Sequence, residues 1–132
     1  YWKSGPKSFL GLLVPNFPNM FIVSGPGSPS VLTNVPVQIE QHVEWITKCI
    51  KFLENNKRQS IESTNEAAKK WQKEIMSSVK KTLFMKAKSS WYKGDNIPGK
   101  SKSFLPYPGG MPKYRKACLK VEKTNYKELK II

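Results

Sequence analysis

The chain has 132 residues, 39% hydrophobic, 11% aromatic and 24% charged, with a formal net charge of +14. That length holds one modest core and excludes two ordinary domains, while the composition is globular, with no apolar run of membrane-spanning length and no signal-peptide pattern. A cytoplasmic protein is expected, and since the residues from Tyr1 onward already read as the interior of a domain, a fragment of something longer is expected too.

Short apolar runs at 9 to 14 and 20 to 23 flank Pro15-Asn16-Phe17-Pro18-Asn19 and predict two strands joined by a turn. Next comes Ser24-Gly25-Pro26-Gly27-Ser28-Pro29-Ser30-Val31-Leu32-Thr33-Asn34. Its glycines allow close backbone approach and its prolines fix the path, so a helix starting beyond Thr33 and Asn34 presents free N–H groups at a defined place. An anion or polar ring suits such a junction, and a plain strand-to-helix connection fits it equally well.

Ile39, Val43, Ile46, Ile50 and Leu53 then form one apolar stripe, which predicts a helix over 35 to 55. Ser63-Thr64-Asn65-Glu66 reads as a capping box for a second helix over 64 to 84, with the stripe Ala68, Trp71, Ile75, Val79 and Leu83. The polar, glycine-bearing stretch from 86 to 103 is a long loop. A short strand is predicted at 103 to 107, a turn at Pro108-Gly109-Gly110, a helix over 111 to 123 with Tyr114, Ala117, Cys118 and Val121 on one face, and a last strand within 129 to 132.

The excess charge lies wholly beyond residue 44, because Lys3 and Lys7 are balanced by Glu40 and Glu44. Only Arg58 and Arg115 of the 23 basic residues are arginine, which favours a solvated lysine face over nucleic-acid readout. His42 is the single histidine and sits beside the first helix stripe as a packed or half-exposed residue. No spacing of His, Cys or carboxylates suggests a metal site or a self-contained catalytic centre, and Cys49 and Cys118 read as two buried thiols. Gly25-Pro26-Gly27 is not a dinucleotide fingerprint, since Ser30 stands where the third glycine is needed. In the long loop, Trp91 and Tyr92 amid Lys93, Gly94, Asp95 and Asn96 either stack on a bound ring or fold back as a core plug.

Taken in order, Trp2 with Gly5-Pro6 and Leu10-Gly11, Phe17-Pro18-Asn19-Met20-Phe21, the stretch 25 to 34, Ile39-Glu40-Gln41-His42-Val43-Glu44-Trp45-Ile46, Thr82-Leu83-Phe84, Ser90-Trp91-Tyr92, Asn96-Ile97-Pro98-Gly99-Lys100, Pro106-Tyr107 with Gly109-Gly110, and Tyr114-Arg115 resemble the C-terminal part of Baeyer-Villiger monooxygenases. That family is the class B flavoprotein monooxygenases, and the resemblance implies an α/β fold: the C-terminal fragment of a flavoprotein with two dinucleotide-binding domains, mainly helical with a few short strands. It implies residues 1 to 56 as the end of an FAD-binding domain, 57 to 85 as a surface helix, 86 to 110 as a mobile loop and short strand, and 111 to 132 as a terminal helix and strand. The parent would use FAD, NADPH and O2 to insert oxygen beside a ketone carbonyl.

By the same resemblance Thr33, Asn34 and Val35 lie near the pyrimidine edge of the flavin. Ser30, Val31, Leu32, Leu105 and Pro106 line the substrate pocket. Trp91, with Asn96 and Lys100, belongs to a loop that closes over the nicotinamide cofactor, and Lys93 assists there. Asp95 stands where alanine is common. The glycine-rich fingerprints for FAD and NADPH, the family's F-x-G-x-x-x-H-x-x-x-W pattern and its active-site arginine are not in these residues, so the segment itself supplies no catalytic residue and is expected to be inactive in isolation. Two other readings are a small basic module for nucleic acid or an acidic partner, and an inactive remnant.

Overall fold

A computed structural model describes residues 2–99 and 101–132. Three α-helices and one two-stranded sheet make up its regular structure among the described residues: α1 (Val35–Asn55), β1 (Ile61–Ser63), α2 (Asn65–Val79), α3 (Met111–Lys123) and β2 (Leu129–Ile131). Three short 3-10 turns, Ser30–Leu32, Leu83–Lys86 and Trp91–Lys93, punctuate the connections.

Among the described residues before α1 there is no strand, contrary to the expectation for 9 to 14 and 20 to 23. Leu10 and Gly11 both take left-handed backbone angles, which turns the chain back on itself so that Phe9 and Leu13 exchange hydrogen bonds within five residues. A second isolated bridge joins Leu13 to Phe21. Gly11 is required here: a Cβ on it would stand 2.4 Å from the Ser28 nitrogen, because this turn presses directly on the Gly/Pro junction.

α1 starts where the caps dictate. The Asn34 side chain accepts from the Val37 N–H at 3.2 Å, and Pro36 sits in the first turn, where no helical donor is lost. It stops at a left-handed Lys57, with the Arg58 N–H reaching back to the Leu53 carbonyl. The bounds agree with expectation, and the buried face does not. Gln38, His42, Trp45, Cys49 and Leu53 point inward, while Ile39, Val43 and Ile50 are 38%, 50% and 42% exposed. The inward face is the predicted one turned back by one residue, about 100°, and only Leu53 is common to both.

α2 is capped by Thr64, whose hydroxyl accepts from the Ala67 N–H at 3.0 Å. Ser63 is withdrawn from the predicted capping box because it belongs to β1, paired with Leu129 in an antiparallel register that also sets Ile61 opposite Ile131. The helix ends at Val79. Thr82 donates to the Val79 carbonyl and accepts from the Phe84 N–H, opening a 3-10 turn that leaves Leu83 75% exposed and outside the core.

The core gathers Trp45 and Cys49 of α1, Trp71, Ile75 and Val79 of α2, and Tyr114, Cys118 and Val121 of α3 around the Phe9 to Leu13 turn. Trp45 donates its indole N–H to the Cys118 carbonyl at 3.2 Å and meets Tyr126 edge-on, locking α1 across α3. Both cysteines are free and buried, and burial pushes their thiols up, Cys49 to about 12 and Cys118 to about 11. No helix among the described residues is long and apolar enough to cross a membrane.

Candidate functional site

The Gly/Pro junction is held from three sides. From α1, His42 Nδ1 accepts the Ser24 N–H at 3.1 Å, and the Gln38 amide donates to the Ser24 and Ser28 hydroxyls at 2.9 and 3.4 Å. From α2, Trp71 donates its indole N–H to the Gly27 carbonyl at 2.9 Å and stacks on Tyr107 at 4.9 Å. From the far end of the chain, residues 105 to 107 run alongside: Gly27 donates to Leu105 and Tyr107 donates to Ser28, each at 2.7 Å. The predicted strand at 103 to 107 is therefore an extended tie whose bonds go to a loop and a junction, with no ladder of its own.

Behind the junction lies a buried polar relay. Because His42 Nδ1 accepts, its proton sits on Nε2 and is donated to the Tyr114 oxygen at 2.8 Å, and the Tyr114 hydroxyl in turn donates to the Leu10 carbonyl at 2.6 Å. Burial lowers the imidazole to about 4, so the ring is neutral at pH 7 and serves as a spacer between α1, α3 and the junction.

In front of the junction a cavity of about 180 Å³ opens, lined by Ser24, Gly25, Pro26, Ser30, Trp91, Leu105 and Pro106. Four of the residues selected from sequence thus meet at one place although 76 positions separate Ser30 from Pro106. Ser24, Gly25 and Pro26 complete the wall. Their glycine and proline content marked the turn, but nothing in the sequence distinguished which of its residues would face the opening. The volume is below the roughly 300 Å³ at which small-molecule pockets begin.

Trp91 is 47% exposed and so is no core plug. One face leans on Tyr92 at 4.2 Å, and Tyr92 packs in turn on Phe84 and Phe104. Lys93 is engaged within the loop: its ammonium lies 2.9 Å from Asp95 Oδ2 and donates to the Ala87 carbonyl. The hydrogen bond from Lys93 is the main reason the Asp95 carboxyl is held below the usual carboxylate range.

The remaining selected residues lie elsewhere. Val31 is 49% exposed and Leu32 half-buried, both in the turn before α1 and off the cavity wall. Asn96 is exposed. Lys100 lies outside the described residues. Thr33 spends its N–H on the Ser30 carbonyl. The N–H groups of Asn34 and Val35 make no hydrogen bond among the described residues, so the positive end of α1 keeps two adjacent donors available. That donor pair fits an electron-rich ring edge. No group of three or more His, Cys, Asp or Glu among the described residues is arranged to hold a metal ion.

No family model matches the chain. It is 46% identical over 115 residues to a cyclohexanone 1,2-monooxygenase of Acinetobacter sp., covering 87% of this chain and 21% of that protein. It is 41% identical over 128 residues to a Baeyer-Villiger monooxygenase of Pseudooceanicola batsensis, covering 97% and 23%. The crystal structure of a cyclohexanone monooxygenase from Rhodococcus sp. Phi1 bound to NADP+ superposes with a TM-score of 0.91 at 38% identity, over 98% of this chain and 24% of that one. The chain therefore spans about a quarter of the length of the proteins it matches, and its structure corresponds to their C-terminal portion.

Proposed function

We propose, from the premise that this chain corresponds to the C-terminal portion of Baeyer-Villiger flavin monooxygenases, that it supplies flavin-edge, substrate-pocket and lid residues to an enzyme inserting one oxygen atom of O2 beside a ketone carbonyl. FAD and NADPH are the cofactors in this reading, and a small ketone is the substrate. The observation that carries it is the likeness itself, which runs over nearly the whole chain in sequence and in structure. When bound, the flavin supplies the oxygen chemistry. The residues of this chain bind, orient and exclude water.

Asn34 and Val35 offer backbone N–H donors at the positive end of α1, suited to hold the pyrimidine edge of a flavin and to favour negative charge there. Thr33 shapes the turn that presents them. Ser30, Leu105 and Pro106 form a wall against which a ketone can rest, with Val31 and Leu32 flanking it and drawn in only once the rest of the enzyme covers them. Trp91, which also lines the cavity, shields the reacting groups from water, with Asn96 and Lys100 following it in the sequence. The small cavity is consistent with a site whose other walls come from outside this segment.

The test is Trp91→Ala in the full-length enzyme, measuring NADPH consumed against ester formed from a cyclic ketone. A larger share of NADPH consumed without ester is expected, and unchanged coupling would remove Trp91 from the lid.

A further inference from the structure

We propose that Asp95 is a positioning residue: with Lys93 it latches the Trp91 turn in place over the cavity before any ligand arrives. The inference rests on the lid reading above for its functional meaning and on geometry for its existence. The two carboxylate oxygens are divided between two tasks. Oδ1 accepts the Ser90 N–H at 2.6 Å, and Oδ2 meets the Lys93 ammonium at 2.9 Å. Ser90 and Lys93 flank Trp91, so one carboxylate closes the turn on both sides of it. Gly94, left-handed at φ 69°, reverses the chain so that Asp95 comes back to Ser90.

The latch is anchored outward as well. Lys93 also donates to Ala87, while the Tyr92 and Lys93 carbonyls accept from Leu105 and Ser103 at 2.8 and 2.9 Å, fixing the turn to the segment that forms the cavity wall. The pair is unlike the other ion pairs among the described residues. The difference is at the lysine end: Lys48, Lys70 and Lys130 leave 53%, 68% and 58% of their side chains exposed and Lys93 only 19%, while Asp95 at 15% is close to Glu62 at 13%. A pair so withdrawn from water is screened less than an exposed one. Trp91 is the member of the turn whose side chain is left facing out. A ligand that meets a preformed turn is spared much of the ordering cost that a loose loop imposes.

The experiment uses Asp95→Ala, Asp95→Asn, Lys93→Met and Lys93→Arg, read first by amide hydrogen exchange at Ser90 with core amides of α2 as reference. Asp95→Ala is expected to speed Ser90 exchange about tenfold relative to the core, the scale of one lost charge-assisted hydrogen bond. Asp95→Asn and Lys93→Met fall between, and Lys93→Arg restores protection. Ser90 exchange within twofold of the parent in both Asp95→Ala and Lys93→Met overturns the latch. If Asp95→Ala speeds all amides alike, the Lys93→Met and Lys93→Arg pair decides: loss and rescue of Ser90 protection support the latch, and their absence overturns it. In the full-length enzyme the loosened variants are expected to raise KM for NADPH several-fold with little change in kcat. A loosened turn with unchanged KM overturns the lid reading and leaves the latch standing.

Discussion

His42 is neutral at pH 7 because it is buried, sealed between a backbone donor on one side and the Tyr114 hydroxyl on the other, with no carboxylate among the described residues hydrogen-bonded to it. Its folded value of about 4 lies below the ordinary 6.5, so the unfolded chain binds the proton more readily. The associated stability is complete above pH 6.5 and is lost as pH falls through the window down to about 4. It amounts to about 3 kcal/mol across that interval. As the chain has one histidine, an NMR titration reports this ring without ambiguity. A midpoint near 4 is expected, and one near 6.5 would mean a solvated ring and no relay. Tyr114→Phe removes the donor to Leu10 and strands the imidazole N–H. A loss of about 1–3 kcal/mol in denaturant unfolding is expected, the usual cost of a buried group left unpaired.

On the scale of elements, α1 and α3 were legible because turn and cap residues bound them: Thr33 and Asn34 before α1, Asn55 and Asn56 at its end, and Pro108-Gly109-Gly110 before α3. The inward face of α1 was not legible. An apolar stripe records contacts with everything a helix meets, inside this chain or beyond it. Ile39, Val43 and Ile50 point away from the core, and the polar Gln38 and His42 turn inward because the junction supplies their partners. β1 escaped notice for a different reason, since Ile-Glu-Ser is too short for a period and owes its conformation to the pairing with β2. Of the cavity's lining, Ser30, Trp91, Leu105 and Pro106 were named only through the family resemblance and Ser24, Gly25 and Pro26 not at all, and their assembly depends on the bonds from 105 to 107 back to the junction. A direct check on the face assignment is available. Val43→Ser and Ile50→Ser are expected to change the stability of the 132-residue chain by less than about 0.5 kcal/mol, and Trp45→Ala to cost about 3–5 kcal/mol. Equal costs would mean that the helix is turned the other way.

For the whole molecule, the apolar face of α1 and the partial cavity have one explanation in the proposed reading: both are surfaces that the remaining three-quarters of the enzyme covers. Charge does not account for the face, because its members are Ile39, Val43 and Ile50, while the positive excess resides mostly on exposed lysines. Apolar residues aligned on one helix face, by contrast, are unfavourable in water and are normally matched by a partner surface. The 132-residue chain is therefore expected to bind a hydrophobic fluorescent dye, and a chain combining Ile39→Ser, Val43→Ser and Ile50→Ser is expected to lose most of that signal while keeping its helical circular dichroism. In the full-length enzyme the native chain should show little dye binding, and the same three substitutions should lower the yield of flavin-loaded protein. Dye binding that survives the triple substitution would locate the exposed apolar surface elsewhere. A triple variant that loads flavin normally in the full-length enzyme would show that this face of α1 is not where the parent packs, and would remove the packing argument for the segment's place in it.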